Sequence, residues 1–453
     1  MLLATQVRSR TAKGIAAEIG RLITSGELDV ATRLPAIRAL ADELEVSPTT
    51  VQHAYQALAQ SGLVIAQGKR GTVVRGAAES TRPPRYAASD KELMPLWDLT
   101  SGTPDPALLP DVGAALMSLA AQDTAILTSG YMEQPVLPDL EWELRRRWPF
   151  EPGAITVVDG ALDAIDRLFR LTLRVGDRVL VENPTFPPVL DMIERAGAEI
   201  IGLPLDEHGI VPGSLRDALE MRPSLLVLQP RAQNPSGVSM THERAEDLAA
   251  VLTGSSVLII EDDHAGGITS ASQVSLGSYL PDRVIRILSF SKAFGPDLRL
   301  AAVGGAADTI VRLDNARALG PGWSSRLLQH VLLYLLTDER ALAQLANARA
   351  VYAHRRRSMV EALRREGFQI VGEDGINIWV PVANENEARI RLAMRDAGIA
   401  VALGSSFLSA PLPSEFIRIT CSAISEGFTE LAGAIAAAAL PPRARTSRPA
   451  HPR

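Results

Sequence analysis

A single cysteine, Cys421, is the only thiol in the chain. One thiol cannot close an intramolecular disulfide, so nothing points to an oxidising compartment. Long apolar runs are also missing. The longest stretch, Leu431 to Leu440, is alanine-rich and too short to span a bilayer. Met1 to Arg10 has neither an apolar core nor a small-residue cleavage site, so no signal peptide is expected. A cytoplasmic protein without a membrane partner is the expectation. Metal-ligand spacing is absent as well. The run Glu261–Asp262–Asp263–His264 has no second His or Cys nearby, and no metal site is expected.

What is present is ordinary globular material: 453 residues, 46 % apolar and 22 % charged, enough for two or three domains. The net charge of −6 is unevenly spread. Residues 1–75 carry nine Lys/Arg against six Asp/Glu, a net +3, and the remainder carries −9. A basic segment ahead of an acidic one hints at a nucleic-acid module.

The first 75 residues carry helix signals, then strand signals. Thr11 can cap a helix running to about Ser25, with Ile15, Ala16, Leu22 and Ile23 near helical spacing. Leu34–Pro35–Ala36–Ile37–Arg38 opens a second helix that ends near Leu44. Ser47 is a favoured N-cap, and Pro48 stands at the first helical position, where its missing N–H costs nothing. That third helix runs to about Gln60. Val51, Ala54, Tyr55 and Leu58 form its buried face, and Thr49, Thr50, Gln52 and His53 lie elsewhere on it. The period then changes to two: Leu63–Val64–Ile65 and Thr72–Val73–Val74 flank Gly68–Lys69–Arg70–Gly71, a hairpin with a cationic tip. Three short helices and a basic hairpin describe a winged helix-turn-helix, whose third helix enters the major groove start first. Arg38, Lys69 and Arg70 would add phosphate contacts.

Gly76 to about Leu96 lacks periodicity and reads as an extended connector. Arg75, Arg82 and Arg85 are candidate DNA contacts within or beside it.

From Trp97 on, strand-like and helix-like stretches alternate, the pattern of an α/β domain with a largely parallel sheet. Polar residues gather after the strands. Ile155–Val158 leads to Asp159–Gly160–Ala161, where free N–H groups at a helix start can face an anion. Arg178–Val181 leads to Asn183–Pro184–Thr185–Phe186, whose ring can stack on a flat ligand. Leu225–Leu228 leads to Gln229–Pro230–Arg231–Ala232–Gln233–Asn234–Pro235–Ser236–Gly237. Val257–Ile260 leads to Glu261–Asp262–Asp263–His264, three acids in a row that read as unsuited to a core. Val284–Leu288 delivers Ser289–Phe290–Ser291–Lys292, with Arg299 seven residues on. A lysine desolvated at a strand end has a lowered pKa and can condense with an aldehyde. The two serines and Arg299 could hold a phosphate. Aldehyde and phosphate on one small molecule describe pyridoxal 5′-phosphate (PLP), and an acid beside its pyridine nitrogen keeps the ring an electron sink.

Two resemblances follow. The run LPAIRALADELEVSPTTVQHAYQAL with the GKRGTVV wing resembles the DNA-binding domain of the GntR family of bacterial regulators. It implies that Arg38, Ser47, Thr49, Thr50, Gln52, Gln67 and Gly68 fall on DNA-contacting positions; Pro48 stands where relatives often carry an arginine. The ordered set Asn-Pro-Ser-Gly, acid, then Ser-x-Ser-Lys-x6-Arg resembles fold-type I PLP enzymes over roughly 97–440. It implies that Lys292 is the Schiff-base lysine and Asp262 the pyridinium partner. Asn234 meets the ring hydroxyl and Phe186 stacks on the ring. Gly160, Ala161, Ser289, Ser291 and Arg299 surround the phosphate, and Arg418 binds an α-carboxylate. Tyr131 reaches the neighbouring subunit's phosphate in a homodimer. His264, where many relatives have tyrosine, would make PLP binding pH-sensitive near neutrality.

A GntR head on an aminotransferase-like body resembles the MocR family, and EDDH, SKAFGPDLRLA and GINIW resemble its PtsJ-like branch, associated with vitamin B6 salvage. The implied organisation is a winged helix over 1–75, a linker over 76–96, a PLP-binding body over 97–440 and a disordered tail over 441–453. The body would comprise a large α/β and a small C-terminal α+β subdomain. The implied function is regulation of operator DNA, with PLP or a PLP-amine adduct as effector at Lys292. The competing readings are a working aminotransferase with a DNA-binding appendage, and a DNA-binding architectural protein with a vestigial PLP fold.

Overall fold

A computed structural model of the chain describes residues 3–29, 31–66, 71–74, 85, 95–121, 134–382 and 387–439. Gln67, Gly68, Lys69 and Arg70 of the wing tip, Tyr131, most of the linker and the 441–453 tail lie outside them.

The N-terminal head has helices α1 (Ala12–Thr24), α2 (Ile37–Leu44) and α3 (Pro48–Gln60), followed by antiparallel strands β1 (Val64–Ala66) and β2 (Thr72–Val74). Thr11 caps α1 by accepting from the Gly14 N–H at 3.1 Å, and Ser47 caps α3 by accepting from Thr50 N–H at 3.1 Å. Ile15, Ile19, Leu22, Leu40, Leu44, Val51, Ala54 and Leu58 form its dry core. The second helix starts later than the sequence suggests. Leu34 is not helical: its N–H bonds the Thr72 carbonyl at 2.9 Å, alongside the wing. Pro35 disfavours helical backbone in the residue before it, so the chain stays extended there.

The body contains, in chain order, β3 (Trp97–Asp98), α4 (Val112–Ala120), α5 (Pro138–Arg146), β4 (Ala154–Val158), α6 (Ala161–Thr172), β5 (Arg178–Asn183), α7 (Pro187–Arg195), β6 (Glu199–Asp206), β7 (Gly209–Ile210), α8 (Pro212–Leu219), β8 (Leu225–Leu228), α9 (His242–Leu252), β9 (Leu258–Asp263), β10 (Val284–Ser289) and β11 (Ala301–Gly305). Then come α10 (Ala307–Ala318), α11 (Arg326–Thr337), α12 (Glu339–Arg365), β12 (Asn377–Val382), α13 (Glu387–Asp396), β13 (Ile399–Ala400), β14 (Ala402–Leu403), β15 (Glu415–Thr420) and α14 (Phe428–Ala439). Eight strands form one sheet in the order β4-β11-β10-β9-β8-β5-β6-β7. β11 runs antiparallel to both its neighbours, so β4, β5, β8, β9 and β10 all point the same way. Their C-terminal ends therefore open on one edge, where ligands of open α/β sheets bind. Apolar clusters cover both faces of the sheet. β12, β15 and β14 form a smaller antiparallel sheet with its own core, including Ile378, Val380, Ile417 and Ile419. Among the described residues no helix is long and apolar enough to cross a membrane.

Head and body touch. Lys13 of α1 pairs with the buried carboxylate of Asp177, and Val175 packs against the head core. A Cβ on Gly197 would meet the Ser61 side chain at 2.6 Å.

Candidate functional site

Four strand ends and one strand of the small sheet converge. β10 delivers Ser289, Ser291 and Lys292; β9 delivers Asp262 and His264; the turn after β8 carries Asn234; the β4–α6 turn carries Gly160 and Ala161; β15 carries Arg418. Lys292 donates to the Gly102 carbonyl, and Arg418 donates to the Thr100 carbonyl. Arg418 also approaches Asn234 Oδ1 at 3.5 Å and lies 5.2 Å from the Phe407 ring centre. Lys292 and Arg418 thus share one short segment of chain, joining both subdomains.

Electrostatics follow from burial. Desolvation pulls Lys292 down to about 8, the Arg418 charge pulls the same way, and Asp262 opposes both. A larger share of neutral amine is the form that attacks an aldehyde. Burial alone brings Arg418 down to about 10, which leaves it cationic at neutral pH. Asp262 is pushed up to about 6 by burial, with a Gln229 hydrogen bond pulling it down.

Three buried atoms here lack a protein partner: Asp262 Oδ1, His264 Nδ1 and Arg418 Nε. Buried polar atoms are normally hydrogen-bonded, and these three are free to meet a ligand. Asp262 Oδ1 suits the N–H of a protonated pyridine. On the opposite side, Gly160 has φ 105° in its turn, and a Cβ there would meet Arg299 Nη2 at 3.1 Å. The guanidinium lies over a helix start that only glycine leaves open. Arg299 also donates to the Asp159 carbonyl at 3.3 Å and is otherwise exposed. Ser289 is buried, and the Ser291 N–H reaches its hydroxyl at 3.4 Å. These residues fit a PLP ring at one end and its phosphate at the other. Phe186 stands just before α7, packed against the core and partly exposed.

Three expectations need correction. The acids of β9 are all core residues, 2 % exposed or less. Strand alternation sends Asp262 to one face and Glu261 and Asp263 to the other. There Asp263 pairs with Arg231 and Arg286 at 2.5 Å, and Ser275 and the Leu276 N–H bond Glu261 at 2.6 Å. Burial raises the Asp263 pKa, but the two arginines overcome it and hold the group ionised. His264 does not titrate near neutrality. Desolvation, reinforced by Lys292, pushes it down to about 4, so the ring is neutral at physiological pH. Arg85 is no free DNA contact. It pairs with Asp191 and Glu194 on α7, and its N–H donates to Asp191 at 3.0 Å.

Sequence reasoning missed Gln229, Thr100, Gly102 and the Arg85 anchor. Gln229 carried a signal, a polar residue directly after an apolar strand. The others become neighbours only through long-range folding.

On the head, Arg38, Ser47, Thr49, Gln52 and His53 are exposed and Thr50 half-buried. Ser47 and Thr50 hydroxyls lie 2.8 Å apart.

Comparison with known proteins agrees with this architecture. Residues 95–435 match the model for aminotransferase class I and II, and residues 11–74 match bacterial regulatory proteins of the gntR family. The chain is 34 % identical over 424 residues to the vitamin B6 salvage pathway transcriptional repressor PtsJ of Salmonella typhimurium, covering 93 % of this chain and 96 % of that protein. It is 27 % identical over 356 residues to the HTH-type pyridoxine biosynthesis transcriptional regulator PdxR of Corynebacterium glutamicum, covering 76 % and 77 %. Aspartate aminotransferase from Thermus thermophilus, solved with maleate, superposes with a TM-score of 0.70 at 21 % identity, over 79 % of this chain and 97 % of that one. With a GntR-type winged helix joined to a fold-type I aminotransferase body over most of its length, the chain belongs to the MocR family of transcriptional regulators, with PtsJ among its relatives.

Proposed function

We propose that this protein binds operator DNA through its winged helix and takes PLP, or a PLP-amine adduct, as its effector at Lys292. We further propose that it regulates genes of vitamin B6 salvage or metabolism, as its PtsJ and PdxR relatives are named for doing. The observation that carries the effector reading is the convergence of Lys292, Asp262, Asn234 and Arg418, with Asp262 Oδ1 buried and without a protein partner.

When bound, PLP would supply an electrophilic aldehyde and an electron-withdrawing ring. The chain's own residues do the rest. Lys292 would present the amine, Asp262 would accept from the ring N–H, Asn234 would meet the ring hydroxyl and Phe186 would flank the ring. The Gly160–Ala161 helix start, Ser289, Ser291 and Arg299 hold the phosphate. Arg418 is left for a carboxylate. That arginine favours an amino-acid adduct over PLP alone, and it is also what a residual half-reaction would use.

Coupling to DNA has a physical route. The carbonyls of Thr100 and Gly102 accept from Arg418 and Lys292, so a ligand that engages both cations would share them with this segment. That segment continues β3, just after the linker. Arg85, within the linker, grips α7, whose start carries Phe186. A ligand shifts the head only through contacts that differ between the two arrangements, and these supply them.

A homodimer is part of the proposal. Helices α4 and α5 both pack on α11 and leave Leu116, Met117 and Trp142 exposed; Leu319, in the loop before α11, is 95 % exposed. These exposed apolar side chains support the proposal. Tyr131 belongs to the proposed shared site.

The test is binding of an operator fragment at fixed salt, with and without PLP, by wild type and Lys292→Ala. PLP is expected to change affinity, bend or protection pattern for wild type alone. Identical behaviour of wild type in both conditions refutes the effector reading. Turnover of an amino acid with 2-oxoglutarate at ordinary enzyme rates would move the assignment to an aminotransferase.

A further inference from the structure

Gln229 follows the last residue of β8, is 5 % exposed, and ties together both predicted ring contacts. Its Oε1 accepts from the Asn234 backbone N–H at 2.8 Å, and its Nε2 donates to Asp262 Oδ2 at 2.8 Å. Its own N–H donates to Glu182 Oε2 at 3.0 Å. The Gln233 amide reaches the same carboxylate at 3.3 Å and the Pro184 carbonyl at 2.8 Å. The whole turn is thereby pinned to the end of β5.

The direction of the Gln229 amide is set by its partners. Turned around, its NH2 would face the Asn234 N–H, and its oxygen would face a carboxylate. Only one orientation satisfies both ends. With Oδ2 of Asp262 taken by this N–H, the carboxylate cannot rotate freely, and Oδ1 is the atom left bare. The same N–H favours the ionised carboxylate, which burial and Asp263 oppose and Lys292 supports. Glu182 adds no second anion here at neutral pH, since burial pushes it up to about 8.

We propose that Gln229 is a positioning residue for PLP: its amide fixes Asp262 and the Asn234 turn in one register, holding Asp262 Oδ1 as an ionised acceptor for the ring nitrogen. The inference rests on the PLP reading above. It gives this chain a neutral amide as the group that orients the pyridinium partner, and it makes ring protonation and seating of the ring hydroxyl depend on a single side chain.

The test uses full-length protein and PLP labelled with 15N in the pyridine ring. Wild type is expected to bind with a protonated nitrogen, read from its 15N shift. Gln229→Met, similar in length but without donor or acceptor, is expected to bind about 10- to 100-fold more weakly, the scale for one hydrogen bond to a charged group. Its 15N shift is expected to move toward the unprotonated value. Gln229→Asn keeps an amide that is one carbon too short to reach both partners, and should show the same change if the Met variant does not fold. In an Asp262→Asn background the effect of Gln229→Met on the 15N shift should vanish, because the residue acts through Asp262. Wild type that binds PLP with a protonated ring, alongside folded Gln229 variants of equal affinity and shift, overturns the inference. Wild type that binds no PLP overturns the reading beneath it.

Discussion

Head and body keep their candidate functional side chains in opposite ways. In the head, Ser47, Thr49, Gln52 and Arg38 stand in solvent at or on short helices, in front of an apolar core. In the body, Asp262, Asn234 and Arg418 are themselves buried, at 2–6 % exposure, and each is held by another functional residue or its neighbour. A surface site can be altered one residue at a time. A buried site of interlocked charges cannot, because removing one group leaves another unpaired. The DNA-reading end can therefore change target with little effect on folding, whereas the ligand end is constrained by its own stability.

That contrast can be broken or sharpened in order of expected effect. The largest concerns the amine. With Lys292 held down to about 8, the neutral fraction falls about tenfold per pH unit below that value. The association rate of PLP, followed by absorbance in a stopped-flow instrument, should rise with pH and level off above about 8. A profile still rising in parallel with free lysine near its ordinary value would show that the site does not desolvate the amine. Next is Gly160→Ala. A side chain at φ 105°, with its Cβ 3.1 Å from Arg299, should cost about 1–3 kcal/mol by denaturant unfolding and weaken PLP binding at the phosphate end. Unchanged stability and PLP affinity would mean that the cradle is looser than its geometry. On the head, Ser47→Ala removes a cap worth about 1 kcal/mol. DNA affinity should fall while PLP affinity stays at the wild-type value; a matched loss of PLP affinity would erase the contrast. The smallest effect on folding is expected from Arg85→Ala. Its ion pairs are partly exposed, so stability should drop by about 1 kcal/mol or less. The response of DNA binding to PLP should nevertheless be blunted, and a fully preserved response would remove the linker from the coupling route.

Legibility from sequence followed the same divide. The head's caps, Thr11 and Ser47, act through residues three positions away, so local pattern sufficed. In the body, each strand end announced its polar residue, because a run such as Val284–Leu288 has few other reasons to end in Ser-Phe-Ser-Lys. Sequence could not reveal that Lys292 meets Gly102, or that Arg85 meets α7, since these pairs lie far apart along the chain. It misjudged Leu34, where a proline on its C-terminal side outweighed helical patterning. It misjudged Glu261 and Asp263, because their arginine partners come from two other segments. It misjudged His264, whose proton affinity is set by enclosure and a neighbouring amine.

The contact between Lys13 and Asp177 has a consequence for how a repressor or activator of this build would operate. The head rests on the body by α1 and the far end of α3, and the start of α3 is exposed. A reader mounted this way need not detach to reach the double helix. Two such readers on a paired body would act like the jaws of a caliper, and the quantity set by the ligand would be the gap and tilt between half-sites. The instructive measurement on an operator would then be its helical phasing: inserting half a turn between half-sites should disrupt engagement of both heads, and a full turn should restore their facing without restoring their distance.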